Sequence, residues 1–134
     1  MTELPPVAAF VHAFHDDLTA WFSGSGDRTE VWARLEAACR PLQGLVYPSG
    51  TRLTGPEFLD TIADRFASSP GFVAAIENLE VVHQASDHAV VAYHEVQAGA
   101  RQSSTRNRRA ALALVALTGE GCTWRFIQET ALPD

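Results

Sequence analysis

The chain contains no lysine, because all ten of its basic residues are arginine. Without a side-chain amine no imine can form, which excludes Schiff-base chemistry and lysine-anchored pyridoxal phosphate. The two cysteines, Cys39 and Cys122, lie in neither a CxxC motif nor a zinc-ligand spacing, so we expect free, buried thiols. Glycine-rich phosphate loops, G-x-S-x-G elbows and Cys/His nucleophile pairs are missing too. Several common enzyme classes are therefore excluded.

Positive charge is also scarce. The 16 acidic and 10 basic residues give a formal net charge of −6, which disfavours nucleic acid and anionic membranes as partners. The one basic run, from Arg101 to Arg109, has no interleaved aromatics. No apolar run approaches the ~18 residues of a membrane span, and the first residues carry acid where a signal peptide carries base. We therefore expect one soluble, cytoplasmic domain over residues 1–134.

The first half of the chain has the residue spacing of helices. Apolar residues at steps of three and four predict a helix from about Pro6 to Ser23. Asp27 with Glu30, and Thr54 with Glu57, have the spacing of capping boxes, so a second and a third helix should begin there. A brief strand is expected between them. The residues expected to be nearly fully buried include Phe10, Phe14, Leu18, Ile62 and Phe66.

From Phe72 onward the pattern has period two and turn residues interrupt it, which predicts an antiparallel meander. Helices followed by a meander indicate an α+β fold with the helices on one face of the sheet. Alternation puts Tyr93, Glu95 and Gln97 on one strand face. A carboxylate, an amide and aromatics on one face are more typical of a ligand pocket than of a plain core.

The register of the last strands decides which residues join this face. With the loop centred between Arg101 and Gln102, Glu95 lies opposite Arg108 and Gln97 opposite Arg106. A slip of one residue would break this assignment. Continuing the same face across the next turn adds a further set: Leu112, Leu114, Trp124, Phe126 and Gln128.

The order of elements, together with Tyr93-x-Glu95-x-Gln97 and the final Trp124 to Thr130 strand, resembles the SnoaL-like division of the nuclear transport factor 2-like superfamily. Within it, the chain is similar to an uncharacterised family grouped with the calcium/calmodulin-dependent kinase association domain. The resemblance implies a strongly bent antiparallel sheet wrapped around three helices into a cone that opens onto a pocket. It implies no single function, because isomerases, cyclases, dehydratases and oligomerisation modules share this fold. Gln128 replaces a histidine that many relatives carry, which weakens any acid/base role there.

Two readings of the Glu95–Arg108 pair stay open. In one, Glu95 is a base and Arg108 stabilises negative charge in a cofactor-free isomerase, cyclase or lyase. In the other the pair is structural and the domain is an oligomerisation or adaptor module. Further ligand contacts are expected from two residues near element ends, Trp21 and Tyr47, and from Tyr93, Gln97, Trp124, Phe126 and Gln128.

Two expectations concern surfaces. His12 and His15 have a spacing that can hold a metal, but no other ligands complete a site, so we expect a solvated helix face and no metal. We also expect a homodimer through the outer sheet face. The residues assigned to that face are Val90, Ala92, Ala111, Ala113, Val115, Leu117 and Ile127.

Overall fold

The computed structural model describes residues 6–99 and 107–133. The helices are α1 (Pro6–Ser23), α2 (Arg28–Cys39) and α3 (Gly55–Ile62). The strands are β1 (Gly44–Val46), β2 (Arg52–Leu53), β3 (Val73–Gln84), β4 (His88–Ala98), β5 (Asn107–Thr118) and β6 (Gly121–Ala131). This order agrees with the predicted one apart from the two-residue β2. The expected pairing of Gln97 with Arg106 was wrong, because Gln97 lies opposite Asn107.

Side-chain caps fix the starts of α2 and α3. The predicted capping box is complete at α3, where Thr54 and Glu57 bond each other's backbone amides reciprocally. At α2 Asp27 is an N-cap that accepts a hydrogen bond from the Glu30 amide at 2.9 Å. Gly55 lets α3 start against the end of α2, because a Cβ there would lie 1.8 Å from the Cys39 carbonyl oxygen. None of the described helices is long and apolar enough to cross a membrane.

The six strands form one sheet in the order β2-β1-β6-β5-β4-β3. All neighbours are antiparallel except β1 and β6, so the sheet is mixed and the expectation of a wholly antiparallel sheet was wrong at this pair. These two strands are far apart in sequence, so no hairpin forces them to run in opposite directions. The helices cover one face, here called the inner face. The cone-shaped α+β architecture is confirmed.

The core lies between α1, α2 and the inner face. Phe14, Leu18 and Ile62 are buried as predicted, whereas Phe10 and Phe66 are only half-buried. Phe66 lies beyond the end of α3, so the helical stripe assumed for it stops short. The Thr19 hydroxyl accepts a 3.0 Å hydrogen bond from the Ala74 amide and so ties α1 to the edge strand β3.

The outer face differs from the predicted one. Ala111, Ala113, Val115 and Ile127 point inward and are buried, and Leu117 packs partly against the core. The residues between them point outward instead: Leu112 is 55% exposed and Leu114 is 38% exposed. Only Val90 and Ala92 of the predicted set lie on the outer face, since they pair with Leu114 and Leu112. The prediction was wrong for the other five because the register of β5 and β6 differs from the one assumed.

Candidate functional site

A cavity of about 480 Å³ lies between the helices and the inner face. Most of its wall is apolar, including Phe14, Leu18, Leu45, Phe58, Ile62 and Ile127. Six of its polar members come from α1, β4, β5 and β6 and lie together: His15, Tyr93, Glu95, Gln97, Arg109 and Glu129. The others come from the loops that follow β1 and α3: Tyr47, Ser49, Arg65, Ser68 and Ser69. The cavity therefore has an apolar body and one polar end, which is typical of small-molecule sites.

His15 and Glu95 form a buried pair at the polar end. His15 is 3% exposed and Glu95 is 4% exposed, and His15 Nε2 lies 3.2 Å from Glu95 Oε1. The other ring nitrogen, Nδ1, lies 2.7 Å from the Val11 carbonyl oxygen, one helical turn earlier in α1. Both ring nitrogens thus face acceptors. Only the imidazolium can donate to both at once.

The charge states agree with this geometry. Burial alone would lower the pKa of His15, but the hydrogen bond and negative charge of Glu95 outweigh it and raise the pKa above its ordinary value. Burial would raise the pKa of Glu95, but the hydrogen bonds from His15 and Gln97 leave it below its ordinary value. Gln97 Nε2 donates to Glu95 Oε2 at 2.6 Å. The pair is therefore an ion pair in which both carboxylate oxygens are engaged.

A second acid-base pair lies beside the first. Arg109 Nη1 donates to Glu129 Oε1 at 3.0 Å, and Arg109 Nη2 donates to Asn107 Oδ1 at 3.0 Å. Burial and the nearby negative charge of Glu95 raise the pKa of Glu129, an effect that Arg109 only partly offsets. A carboxyl group with a raised pKa is better suited to exchange protons near neutral pH than one with a lowered pKa.

Two tyrosines also line the cavity. Tyr93 is 2% exposed, and burial together with the charges of Glu95 and Glu129 raises its pKa well above the ordinary value. The pKa of Tyr47 is raised by burial and by Glu129. Both phenols therefore stay protonated near neutral pH and can act as hydrogen-bond donors.

Arg108 is not in the cavity, and the predicted Glu95–Arg108 pairing was wrong. Glu95 lies opposite Arg109, and Arg108 lies opposite Val96 on the outer face. The pairing of β4 with β5 is shifted by one residue from the assumed register, which moves every side chain of β5 to the other face. Arg108 instead lies 3.5 Å from Glu77 on β3.

Phe126 and Gln128 also point outward, against the prediction. A bulge in β6 sets Val115 opposite Trp124 and Leu114 opposite Phe126, so the extra residue Arg125 reverses the alternation. Trp124 remains inward and fully buried, but it packs behind the lining, against Phe14 and Tyr93. The bulge brings two unpredicted residues, Ile127 and Glu129, into the cavity.

Tyr93, Gln97 and Tyr47 line the cavity, as the sequence indicated. Trp21 does not line it. Its indole Nε1 donates to the Ile62 carbonyl oxygen at 2.8 Å, so this side chain ties α1 to the end of α3 inside the core.

The prediction of a solvated helix face was wrong for His15. It lies four residues after Val11 and three before Leu18, both buried, and this spacing within the apolar stripe was the signal that could have identified it. Glu129 carried no such signal, because the bulge that turns it inward is not evident from the alternation. Across residues 6–99 and 107–133, no three His, Cys, Asp or Glu side chains are arranged to hold a metal ion.

No protein-family model and no curated protein matches this chain. Among solved structures, it is similar to an NTF2-like protein of unknown function from Pseudomonas aeruginosa, with a TM-score of 0.86 and 22% identity over 96% of this chain and 100% of that one. An NTF2-like protein from Streptomyces avermitilis, provisionally assigned as a dehydratase, gives a TM-score of 0.75 and 15% identity over 96% and 95% of the two chains.

A third structure, from Exiguobacterium sibiricum, is provisionally assigned as a calcium/calmodulin-dependent kinase II association domain. It gives a TM-score of 0.65 and 15% identity, covering 100% of this chain and 99% of that one. At these identities the likenesses bear on architecture alone. The chain therefore has the nuclear transport factor 2-like fold, which the resemblance in its C-terminal strands implied.

Proposed function

We propose that the protein binds a small, largely apolar molecule in the cavity, with the polar group of that molecule at the His15–Glu95–Glu129 end. The observation that carries the proposal is the buried ion pair at one end of a largely apolar cavity. Its volume of about 480 Å³ falls within the range of ligand pockets. A domain that used this face only for packing would gain stability from filling the cavity with side chains.

The same residues support a cofactor-free proton transfer, as in an isomerase, cyclase or lyase. Glu129, whose pKa is raised, is the proposed proton carrier, and Tyr93 donates a hydrogen bond to a ligand oxygen. Glu95 was expected from the sequence to be the base; here it is a positioning residue that holds His15 charged beside the ligand. The arginine of the cavity is Arg109 rather than Arg108, and it is paired with Glu129. An elimination of water needs such a base and donor, in line with the provisional dehydratase assignment of the Streptomyces avermitilis protein.

Native mass spectrometry of the purified protein tests the binding proposal, because it reports a retained small molecule and the oligomer mass together. Leu18→Trp should fill the cavity and abolish retention. Leu114→Trp, which adds the same bulk to the outer face, is the matched control and should retain the molecule. Equal retention by both variants would place the molecule outside the cavity. If Glu95→Gln also loses the molecule, the charge of Glu95 takes part in binding.

The outer face favours a second, compatible proposal, that of a homodimer. Leu112 and Leu114 are 55% and 38% exposed, and Val90 and Phe126 flank Leu114 on the neighbouring strands. An apolar patch of this kind is rarely left open by a monomer. Sedimentation should show a dimer at micromolar concentration that Leu112→Glu disrupts. A wild-type monomer would contradict this proposal and would remove the basis for an oligomerisation or adaptor role.

A further inference from the structure

The charges at the polar end of the cavity are already matched. Three basic side chains line the cavity within residues 6–99 and 107–133: His15, Arg65 and Arg109. His15 is held by Glu95 at 3.2 Å and Arg109 by Glu129 at 3.0 Å. Arg65 belongs to the exposed rim, where its side chain is 55% exposed and lies 3.8 Å from Asp64. The buried end therefore has two cations and two carboxylates.

We infer that the cavity selects uncharged ligands that carry a carbonyl or hydroxyl group and rejects carboxylates, since each buried cation already has a carboxylate partner. The inference rests on the proposed function, that the cavity binds a small molecule, and narrows it to a chemical class. From the sequence, an arginine in the pocket was expected to stabilise negative charge, whereas the arginine found there, Arg109, is already paired with Glu129.

The physical reason is the cost of removing a charge from water. A ligand carboxylate at the polar end would lose its hydration and meet no unpaired cation, while Glu95 and Glu129 would repel it. A carbonyl or hydroxyl oxygen has a smaller desolvation cost and can accept a hydrogen bond from Tyr93. A hydroxyl can also donate to Glu129. The rim cation Arg65 attracts anions only through solvent, where salt screens the interaction.

Two probes of nearly the same shape separate the classes: 2-acetylnaphthalene, a neutral ketone, and 2-naphthoate, its carboxylate counterpart. Both are small enough for the cavity. Calorimetric titration of the wild-type protein at about pH 7.5 should give a dissociation constant at least about tenfold lower for the ketone. Equal affinities, or tighter binding of naphthoate, would overturn the inference while leaving the proposed pocket intact.

A variant should reverse the preference. Glu129→Gln keeps the size of the side chain but releases Arg109, so the affinity ratio should move by about tenfold or more in favour of naphthoate. Glu77→Gln is the matched control, because it releases Arg108 from the same kind of pair on the outer face and should leave the ratio unchanged. Thermal unfolding of each variant verifies that it is folded.

The outcomes distinguish a failure of the charge-matching inference from a failure of the proposed binding function. An unchanged ratio in Glu129→Gln, or the same shift in Glu77→Gln, would overturn the charge-matching inference. Binding of neither probe to the wild type or to either variant would overturn the proposed function, and this inference with it. A ketone preference that only Glu129→Gln reverses would support both.

Discussion

Arg108 and Arg109 are neighbours in sequence, and each lies near a glutamate, but they lie on opposite faces of the same strand. Arg109 contacts Glu129 inside the cavity, where their side chains are 19% and 7% exposed. Arg108 contacts Glu77 on the outer face, where the exposed fractions are 36% and 44%. The same two residue types therefore form a buried part of the candidate site in one case and a surface ion pair in the other. Strand parity alone decides between them.

The two faces also differ in what surrounds the charges. On the inner face, Glu129 is buried beside Glu95 and His15, so each charge alters the proton affinity of the others. On the outer face, water and salt screen the pair. Removing a group on the inner face should therefore cost more than removing its counterpart on the outer face.

The largest contrast should come from the apolar part of each face. Phe14→Ala removes a buried ring that packs against Trp124 and His15, so it should lower the free energy of unfolding by about 3–5 kcal/mol. Leu112→Ala on the outer face should cost less than about 1 kcal/mol under monomeric conditions. Urea titrations measure both. A loss of under about 1 kcal/mol for Phe14→Ala would place α1 at the surface rather than in the core.

A smaller contrast is expected between the arginines. Arg109→Met leaves Glu129 buried beside Glu95 without a cation and should cost about 3 kcal/mol at neutral pH. Arg108→Met breaks an exposed pair and should cost at most about 1 kcal/mol. Urea titrations of both variants measure these losses. Equal losses would show that the burial of Arg109 has no energetic consequence, and a larger loss for Arg108 would favour the register assumed from the sequence.

The sequence was sufficient for the fold because helices and strands repeat their burial pattern over many residues. The stripe of α1 and the capping box at Thr54 were each predicted from local spacing, and the structure agrees. The inward set Tyr93, Glu95 and Gln97 follows from alternation within one strand, which needs no partner strand. These features depend only on the spacing of residues within one segment, so a single sequence is enough to predict them.

The predictions that were wrong depend on how neighbouring strands pair. Arg108 and Arg109 exchange faces if the register shifts by one residue, and the position of the loop between β4 and β5 was a guess. Phe126 and Gln128 were misplaced by a single bulge at Arg125, which alternation does not reveal. The prediction for His15 was wrong for another reason: the residue was expected to lie outside the apolar stripe of α1, but its spacing from Val11 and Leu18 places it on the buried side. One buried carboxylate partner is enough to stabilise a histidine there.

The smallest expected effect is a pH dependence confined to the inner face. The pKa of His15 is raised in the folded state, so its pairing with Glu95 stabilises the fold fully below the ordinary histidine value of about 6.5. That stability is lost as the pH rises through the raised pKa. The pKa of Glu95 is lowered, so its contribution is lost only at acidic pH, as the pH falls through the lowered pKa.

The free energy of unfolding of the wild type should therefore decline as the pH rises above about 6.5, until it has passed through the raised pKa of His15. In Glu95→Gln the partner charge that raises the pKa of His15 is gone, and with it one cause of the raised pKa of Glu129. The stability of this variant should be nearly flat over the same range. Arg108→Gln alters only the outer pair, so its curve should run parallel to that of the wild type. Urea titrations at several pH values measure all three proteins. A wild-type curve as flat as that of Glu95→Gln would mean that His15 is uncharged in the folded protein, and the contrast between the two faces would then rest on Arg109 and Glu129 alone.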